Sequence, residues 1–467
     1  MTAERFRTHE VAALLGGGAE GPDRPFPFSV CYDSREVTPG CVFAALPGER
    51  TDGHRFVGDA VAGGASAVLA LRGPGREARA SLPGSADVAW VFVDSVEDAL
   101  VTLARQWRER VAPKVYGITG SVGKTTTRDL ILRVLASVEP SHGAPKSYNT
   151  RIGCASTVLG MPPDTRNLVL EYGTNHPGEI SALVASFPPQ ELFLTEVCPA
   201  HLEGLGDVQG VLAAKLELLE SRQAERVTYN FDNALLRDAL QVSFPPERSL
   251  GVGVSGGEVR IERAEPRWTS KGPVLDLHLR EAGRSWSFAS RLWGRQHAYA
   301  WAFAWSVALR RGVGEEVLRE VAETSLPLPG RGRVLSDREG LWILDETYNA
   351  NPASMGVALE NLHLLSSQGA GVSWAILGGM RELGETSPHW HREILGKLRG
   401  VDGAVLVGEE WAPLRSDLPD QVRWVPDTAV LLEEGGPVLP KQALLLLKGS
   451  RSYGLERLLP LFRGDAA

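Results

Sequence analysis

The chain has 467 residues, which is too many for a single hydrophobic core and predicts two to four domains. Its net charge of −8 and pI near 5.8 argue against a nucleic-acid surface, because binding to a phosphate backbone normally needs a concentrated basic patch. The four cysteines stand far apart without a CxxC pair, so neither a zinc site nor a disulfide framework is indicated, and we expect a cytoplasmic protein. The amino-terminal segment lacks a signal-peptide core, and the longest apolar run, 298–309, is too short to span a bilayer.

Residues 1 to about 94 alternate short strand-like and helix-like segments, which predicts a small α/β domain. Polar residues cluster in the connections around the strand predicted at 42–46. Loops at strand ends are where an α/β sheet holds ligands. The candidates for substrate binding are therefore Ser34, Arg35, Asp52 and His54. Solvated turns explain the same residues equally well from the sequence alone.

A helix predicted from Val96 to about Arg110 leads to the most specific pattern in the chain, KVYGITGSVGKTTTRDLILRVLA at 114–136. It predicts a buried strand, a glycine-containing loop and an amphipathic helix, the order that surrounds phosphate oxygens with backbone N–H groups. Lys124 would reach the β- and γ-phosphates, and Thr125 would ligate Mg²⁺. Ile118 stands where the strict GxxxxGK[ST] pattern has glycine, but GxxGKT is retained. The predicted phosphate-binding residues are Gly120, Ser121, Gly123, Lys124, Thr125 and Thr126.

Two further polar residues follow predicted strands of the same unit. Glu171 lies near the end of the apolar run NLVLEYG, and a carboxylate at the carboxyl end of a strand downstream of a phosphate loop is placed for a second Mg²⁺ contact. Taken alone, it would be an ordinary strand-end residue. His201 follows the strand-like run at 191–197, although a lone histidine is usually structural.

A lysine interrupts the apolar face of the helix predicted at 207–221, for which Asp207 is the expected N-cap. The apolar stripe of this helix consists of Val208, Val211, Leu212, Leu218 and Leu219. Lys215 falls on that stripe, and because burial of an ammonium group is costly it must snorkel, meet a carboxylate or be chemically altered. With a lowered pKa, the amine would take up CO₂ and become an anionic carbamate that binds a metal.

Residues 250–290 are predicted to be β-rich, and 291–312 to form a long aromatic helix in the core. The proline- and glycine-rich segment 325–333 marks the boundary of a third domain. Strands and helices alternate again beyond it, which predicts a second doubly wound sheet. Its strand-end loops carry three polar segments, DETYNAN at 345–351, GGMRELGE at 378–385 and KGSR at 448–451.

Together these motifs resemble the Mur ligase family along nearly the full length of the chain. The shared patterns are DSRxVxPGxxFxALxGxxxDGHxF, TGSxGKTT, ExGxNxxGEI at 171–180, AHLEGxG at 200–206 with AAK at 213–215, YNANPxSM, MxELGE and KGSR. The resemblance implies an α/β protein of three domains. They are a small UDP-substrate-binding domain at 1–94, a central ATP-binding domain with a parallel sheet at 95–325, and a Rossmann-like doubly wound domain at 326–467.

YNANP and KGSR resemble the branch of the family that adds a dipeptide. The resemblance therefore implies an ATP-dependent ligase that joins D-alanyl-D-alanine to UDP-N-acetylmuramoyl-tripeptide through an acyl phosphate, in the synthesis of peptidoglycan. ATP and Mg²⁺ at two sites would be its cofactors, and we expect a monomer.

The resemblance also implies roles for individual residues. Lys124, Glu171, His201 and Lys215 would be catalytic. One Mg²⁺ would bind Thr125 and Glu171, and the other would bind His201 with carbamylated Lys215. Further nucleotide contacts would come from His297, Arg331, Glu346, Tyr348 and Asn349. Besides the loops of the first domain, substrate contacts would come from Asn149, Asn175, His176, Asn351, Lys448, Ser450 and Arg451.

Several positions depart from the family's usual pattern. Asp345 and Glu346 stand where two aspartates are usual, so the carboxylate expected to face the ribose is one methylene longer. The other departures are Gly379 in place of aspartate, and Ala298, Trp301, Glu196 and Thr150 in place of asparagine. They affect the expected adenine and ribose contacts more than the chemistry.

Three other functions remain open at this point. A sibling ligase would add a single amino acid to another carboxylate, although YNANP and KGSR stand against it. A non-catalytic descendant would only bind UDP-muramoyl peptides, a hypothesis motivated by Gly379, Ala298 and Trp301. A mechanical or signalling P-loop NTPase would have no need of His201, Lys215 and a third domain with ligand loops.

Overall fold

The computed structural model describes residues 5–27, 29–48, 51–336 and 340–462. These residues form three α/β domains, each built on its own sheet, which confirms the predicted fold class. In this part of the chain, every helix is too short or too polar to cross a lipid bilayer.

The first domain is a small sheet covered by short helices. Its elements are α1 (Thr8–Leu14), β1 (Gly18–Glu20), β2 (Val30–Cys31), β3 (Val42–Ala44), α2 (Val57–Ala62), β4 (Ala67–Leu71), α3 (Arg72–Ser81) and β5 (Ala89–Val93). The strand order is β1-β5-β4-β3-β2, with β1 antiparallel and the others parallel. Helix α4 (Val96–Val111) then leads to the second domain; it begins at Ser95, whose side chain accepts the N–H of Asp98, and ends at Ala112 in the left-handed conformation.

The second domain combines a parallel sheet with an antiparallel extension. Its strands are β6 (Lys114–Thr119), β7 (Ser141–Gly143), β8 (Asn167–Glu171), β9 (Glu191–Leu194), β10 (Arg226–Asn230), β11 (Ser249–Gly253), β12 (Val259–Thr269), β13 (Gly272–Glu281) and β14 (Arg284–Ser290). Its helices are α5 (Lys124–Ala136), α6 (Arg151–Leu159), α7 (Glu179–Ser186), α8 (Leu202–Leu205), α9 (Val208–Leu216), α10 (Ala234–Ser243), α11 (His297–Arg310) and α12 (Glu315–Thr324). The strand order is β14-β13-β12-β11-β10-β9-β6-β8-β7. Because β6 lies between β9 and β8, the loops that follow these three strands meet at one edge.

The third domain is a second doubly wound sheet, as predicted. Its elements are β15 (Arg333–Ser336), β16 (Trp342–Glu346), α13 (Pro352–Leu365), β17 (Val372–Gly378), α14 (Ser387–Lys397), β18 (Gly403–Val407), β19 (Val422–Val425), α15 (Thr428–Glu433), β20 (Ala443–Lys448) and α16 (Leu459–Phe462). The strand order is β15-β16-β20-β17-β18-β19, and only β15 pairs antiparallel among the described strands. The domain boundaries at 94/95 and 325/326 lie between the three sheets and stay predictions.

Continuous apolar runs, rather than alternating ones, produce the central strands. Every residue of β5, β8, β9, β18 and β20 is buried. Strands of a parallel sheet are covered by helices on both faces, so both sets of side chains must be apolar. A polar residue on such a strand is therefore an exception that requires a partner.

The aromatic helix begins later than the predicted 291–312. Gly294 has a φ of 91°, a left-handed conformation that a helix cannot contain, and α11 starts only at His297. Its aromatic face is core, as predicted. Trp305 stacks on Trp286 of β14 with 5.1 Å between the ring centroids, and the β-rich character predicted for 250–290 is confirmed by β11 to β14.

Candidate functional site

The loop between β6 and α5 has the conformation expected for holding phosphates. Gly120 has a φ of 148°, and a Cβ there would lie 2.1 Å from the Oγ1 of Thr195. Gly123, with a φ of 85°, precedes the first turn of α5. The side chain of Lys124 folds back over the loop and its Nζ donates to the carbonyl of Gly120 at 2.5 Å. Burial lowers the pKa of Lys124, a cost of holding this cation that an anionic ligand in the loop would offset.

A buried carboxylate lies directly beside the loop. Glu171 ends β8 and is 1% exposed. Its Oε2 accepts a hydrogen bond from Thr125 Oγ1 at 3.2 Å, and Thr125 Oγ1 lies 3.0 Å from Ser147 Oγ. The two residues predicted for one Mg²⁺ site are therefore in contact.

The partner of this carboxylate is an arginine that the sequence reasoning missed. Arg128 Nη1 lies 2.9 Å from Glu171 Oε1, and both side chains are 1% exposed. The same guanidinium donates to the carbonyl of Lys146 at 2.6 Å and to Asp129. Helical periodicity could have revealed this buried charge, because Arg128 falls on the same stripe of α5 as the buried Ile131 and Leu135. Lys215 was found on its own helix by the same kind of pattern.

The loop that contains Ser147 connects all three domains. Lys146 Nζ pairs with Glu36 of the first domain at 2.9 Å. Arg331, which precedes β15 of the third domain, donates from Nη2 to Ser147 Oγ at 2.8 Å. Its guanidinium also lies 3.7 Å from the ring centre of Tyr348. The predicted nucleotide contact Arg331 thus reaches the hydroxyl cluster at Thr125.

A second buried ion pair borders the site in the third domain. Lys448 is 2% exposed, and its Nζ lies 3.1 Å from Glu346 Oε2 and donates to the carbonyl of Asn349 at 3.1 Å. His297 faces the same region, with Nδ1 against the carbonyl of Trp293, and burial lowers its pKa. Lys448 was predicted as a substrate residue, which stays a prediction; its contacts are with Glu346 and Asn349, two residues predicted to bind the nucleotide.

The predicted irregularity of α9 is confirmed. Lys215 is 1% exposed, and the helix continues past Leu216 only as a 3₁₀ turn at Glu217–Glu220. Burial, and secondarily the charge of Lys124, lower the pKa of Lys215 to about 7. Its amine therefore spends much of its time uncharged at neutral pH, as a reaction with CO₂ requires.

His201 contacts the third domain. Its Nδ1 lies in hydrogen-bond contact with Glu382 Oε2, which belongs to the MRELG segment. Burial lowers the pKa of His201, and Lys124 and Lys215 lower it further against the opposing effect of Glu382. The imidazole is thus neutral at neutral pH.

One cavity of about 1180 Å³ collects most of the predicted site residues. Those that line it are Ser121, Gly123, Lys124, Thr125, Thr126, Asn149, Glu171, Asn175, His201, His297, Arg331, Glu346, Tyr348, Asn349, Asn351 and Lys448. Its lining, within the described residues, does not include Gly120, Lys215, His176, Ser450, Arg451 or the four candidates of the first domain. Ser450 is buried, and its Oγ accepts the N–H of Arg381 at 2.9 Å.

Three of the candidates of the first domain make contacts inside that domain. Asp33 holds Arg35 through contacts of 2.9 and 2.6 Å. His54 is 7% exposed, with Nδ1 2.6 Å from Asp52 and Nε2 accepting the N–H of Leu71 at 3.0 Å. Both ring nitrogens of His54 are therefore used inside the domain, so a role in substrate binding would be exerted through the loop it holds.

The departures from the family pattern have local explanations. A side chain at Gly379 would meet Glu410, because a Cβ there would lie 2.5 Å from Glu410 Oε2 and 2.9 Å from the hydroxyl of Tyr453. Glu410 in turn pairs with Arg381 at 2.9 Å. A carboxylate from another loop thus fills the place where aspartate is usual.

Two of the asparagine departures also have structural consequences. Trp301 is fully buried and donates from Nε1 to Ser290 Oγ at 3.0 Å, so this face of α11 belongs to the core. Glu196 lines the cavity and accepts the side-chain amides of Asn230, at 2.8 Å, and Asn233. Burial raises the pKa of Glu196.

Among the described residues, His, Cys, Asp and Glu side chains nowhere form a group of three that could hold a metal ion. A cation site in this cavity would depend on hydroxyl oxygens, phosphates or a modified lysine in addition to one carboxylate or imidazole. The contact of Thr125, Ser147 and Glu171 has that composition.

Three family models match the chain in succession. The Mur ligase family catalytic domain matches residues 29–108, the Mur ligase middle domain 118–308, and the Mur ligase glutamate ligase domain 330–451. The order of the three matches follows the order of the three sheets.

Curated relatives and solved structures agree with these matches. The UDP-N-acetylmuramoyl-tripeptide–D-alanyl-D-alanine ligase of Mycobacterium leprae is 32% identical, over 98% of both chains, and that of Synechocystis is 32% identical over 82% of this chain and 79% of the relative. MurF from Acinetobacter baumannii superposes with a TM-score of 0.80 at 23% identity, covering 98% of this chain and 99% of that one. MurF ligase from Thermotoga maritima, solved in complex with ADP, gives a TM-score of 0.75 at 26% identity, covering 93% and 97%.

The buried pair at the site predicts a large effect of removing one partner. In Arg128→Met, Glu171 keeps its charge in the interior without a counterion, so the free energy of unfolding in urea should fall by ~3–5 kcal/mol. Arg133→Met, on the exposed face of the same helix, is the control and should change it by less than about 0.5 kcal/mol. The double variant Arg128→Met with Glu171→Leu should recover much of the loss. Equal stability of the two single variants would contradict the assignment.

The lowered pKa of Lys215 predicts a pH-dependent stability. Below pH 7 both folded and unfolded chains bind the proton, whereas between about 7 and the ordinary 10.5 only the unfolded chain does, so raising the pH favours the folded state. From pH 7 to 9 in CO₂-free buffer, wild type should gain ~2–3 kcal/mol relative to Lys215→Met. Parallel pH curves for the two proteins would show that Lys215 titrates normally.

Proposed function

This chain belongs to the Mur ligase family, and on that premise we propose that it joins D-alanyl-D-alanine to UDP-N-acetylmuramoyl-tripeptide in the cytoplasm. The family's members are ATP-dependent ligases that form a peptide bond. The observation that carries the proposal is the single cavity in which the phosphate loop and Glu171 face the third domain's Glu346 and Lys448. The product is the UDP-linked pentapeptide used in peptidoglycan synthesis.

One Mg²⁺ is assigned to the hydroxyls and carboxylate beside the phosphate loop. The donor set suits it, because Thr125, Ser147 and Glu171 offer oxygen atoms, which Mg²⁺ prefers. Glu171 Oε1 is buried and, apart from its ion pair with Arg128, makes no hydrogen bond within the described residues. When bound with ATP, Mg²⁺ would neutralise phosphate oxygens at this edge of the sheet.

A second Mg²⁺ is assigned to His201 and carbamylated Lys215. The lowered pKa of Lys215 supports this assignment, because the uncharged amine can attack CO₂: a C–N bond forms, one C=O bond opens to a carboxylate, and the nitrogen releases one proton to solvent. The resulting carbamate would place a negative charge within the electrostatic reach of Lys124. His201 lines the cavity, and the charge of Lys215 is among the effects that lower its pKa.

The chemistry then needs charge neutralisation and orientation more than acid–base catalysis. In the first step a carboxylate oxygen of the tripeptide attacks the γ-phosphorus, and ADP leaves. In the second step the neutral amine of the dipeptide attacks the acyl carbon. Phosphate then leaves with the bonding electrons, and the amine proton passes to solvent. Lys124 and Arg331 stabilise the phosphoryl oxygens during the first step. Both are already held at the phosphate loop, by Gly120 and Ser147.

The remaining predicted residues divide between nucleotide and substrate. His297, Glu346, Tyr348 and Asn349 line the cavity and would surround the nucleoside, with Lys448 holding Glu346. Asn149, Asn175 and Asn351 line the cavity and would face the reacting part of the tripeptide, whereas His176 lies outside the lining. The UDP end binds the loops of Ser34, Arg35 and Asp52, with His54 holding Asp52. Ser450 and Arg451 do not line the cavity, and Ser450 would act on dipeptide binding through the loop of Arg381, whose N–H it accepts.

The deciding measurement is phosphate release from ATP by the purified protein with Mg²⁺. Release should require both UDP-N-acetylmuramoyl-tripeptide and D-alanyl-D-alanine, and mass spectrometry should detect the UDP-pentapeptide. Lys124→Met should lower the rate by ~10²–10³-fold because it removes a donor to the transferred group, while the exposed Lys441→Met should leave it unchanged.

Other outcomes would select another function. Release with D-alanine or D-glutamate in place of the dipeptide would identify a sibling ligase. Tight binding of the UDP-tripeptide without any release would identify a binding protein.

The carbamate has its own test. Lys215→Ala should lose most of the activity, and a short-chain carboxylate such as formate or acetate should restore part of it by supplying the missing anion. Full activity of Lys215→Ala without an added carboxylate would contradict the carbamate.

A further inference from the structure

Two loops meet across the boundary between the second and third domains, and each turns on a left-handed residue other than glycine. His201, which precedes α8, has a φ of 55°, and Glu382 has a φ of 64°. The N–H of Glu203 donates to the carbonyl of Glu382 at 3.3 Å, so the backbones also touch. Residues with a Cβ seldom adopt this conformation, and they concentrate at active sites where the surrounding structure holds them.

The two left-handed residues are joined by their side chains. Glu382 Oε2 is in hydrogen-bond contact with Nδ1 of His201. A carboxylate only accepts hydrogen bonds, so Nδ1 carries the proton. Nε2 has no hydrogen-bond partner within the described residues, and His201 lines the cavity. In this tautomer Nε2 of His201 carries a lone pair that is available to a ligand in the cavity.

We propose that Glu382 is a positioning residue that fixes the tautomer and orientation of His201 for the cation, an inference that rests on the proposed function. A histidine that ligates a metal commonly donates its other ring N–H to a carboxylate, which orients the ring and raises its basicity. Here that carboxylate comes from a different domain. His201 is therefore oriented as a cation ligand only when the third domain is docked. The same docking brings Glu346 and Lys448 to the cavity.

Glycine is the substitution at position 382 that removes the carboxylate and suits the local backbone. At a φ of 64°, Glu382→Gly removes the side chain and relieves the backbone. Glu382→Gln keeps an oxygen that accepts the Nδ1 proton. Glu385→Gly, at an exposed glutamate three residues further on, controls for the added flexibility of the loop.

The first readout is the ¹⁵N chemical shifts of the His201 ring, assigned by their loss in His201→Gln. Wild type, Glu382→Gln and Glu385→Gly should show the tautomer protonated at Nδ1, and Glu382→Gly should show a mixture. This readout needs neither metal nor turnover. If Glu382 contributed only to packing, its substitution would leave the ¹⁵N chemical shifts of the His201 ring unchanged.

The second readout is Mn²⁺ binding in the presence of ADP, followed by electron paramagnetic resonance, together with the Mn²⁺ dependence of the ligase rate. Glu382→Gly should raise the half-saturating Mn²⁺ concentration ~10–100-fold. The rate at saturating Mn²⁺ should recover to within a few-fold, and UDP-tripeptide affinity should stay unchanged.

An unchanged tautomer and Mn²⁺ affinity in Glu382→Gly would overturn the proposal, as would equal effects of Glu385→Gly. Equal Mn²⁺ binding by wild type and His201→Gln would overturn it too. Loss of the proposed ligase function would be seen separately, as wild-type protein that forms no UDP-pentapeptide, and the ring tautomer would still decide the part played by Glu382.

Discussion

The buried carboxylate of Glu171 is the constraint on which the site depends. An ionised carboxylate at the end of an interior strand is stable only when its charge is matched, and Arg128 on α5 supplies that match at 2.9 Å. The same guanidinium then holds the carbonyl of Lys146, which places Ser147 beside Thr125. Ser147 in turn receives Arg331 of the third domain. Neutralising one charge thus fixes a loop and connects the phosphate-binding helix to a neighbouring domain.

Buried cations lie at and behind the phosphate loop. Burial lowers the pKa of both Lys124 and Lys215, and the charge of Lys124 lowers that of Lys215 further. Arg331 adds a third cation from across the domain boundary. Phosphate groups placed among these cations would favour the charged form of each lysine, so the binding of an anionic ligand is coupled to the protonation of Lys124 and Lys215. Glu346, already paired with Lys448, adds little repulsion.

The sequence alone was sufficient to predict the features that depend on local patterns. The phosphate loop, the three α/β units and the buried position of Lys215 follow from spacing and periodicity within short segments. Contacts between distant segments were out of reach, as for Arg331 with Ser147, 184 residues apart, and His201 with Glu382, 181 residues apart. His54 shows a different limit of prediction from sequence. The same DGH pattern is compatible with a histidine that contacts a ligand and with one that makes hydrogen bonds inside its domain. Arg128 was missed although its helical position carried the signal.

The packing of Glu410 against Gly379 has a consequence for how this sequence can change over time. The space for a side chain at 379 is already taken by the ends of two side chains, the carboxylate of Glu410 and the hydroxyl of Tyr453. An aspartate at 379 would therefore fit only if these two groups rotated aside, and it would bring a second carboxylate next to the first. The residues at 379 and 410 are thus expected to change together rather than independently.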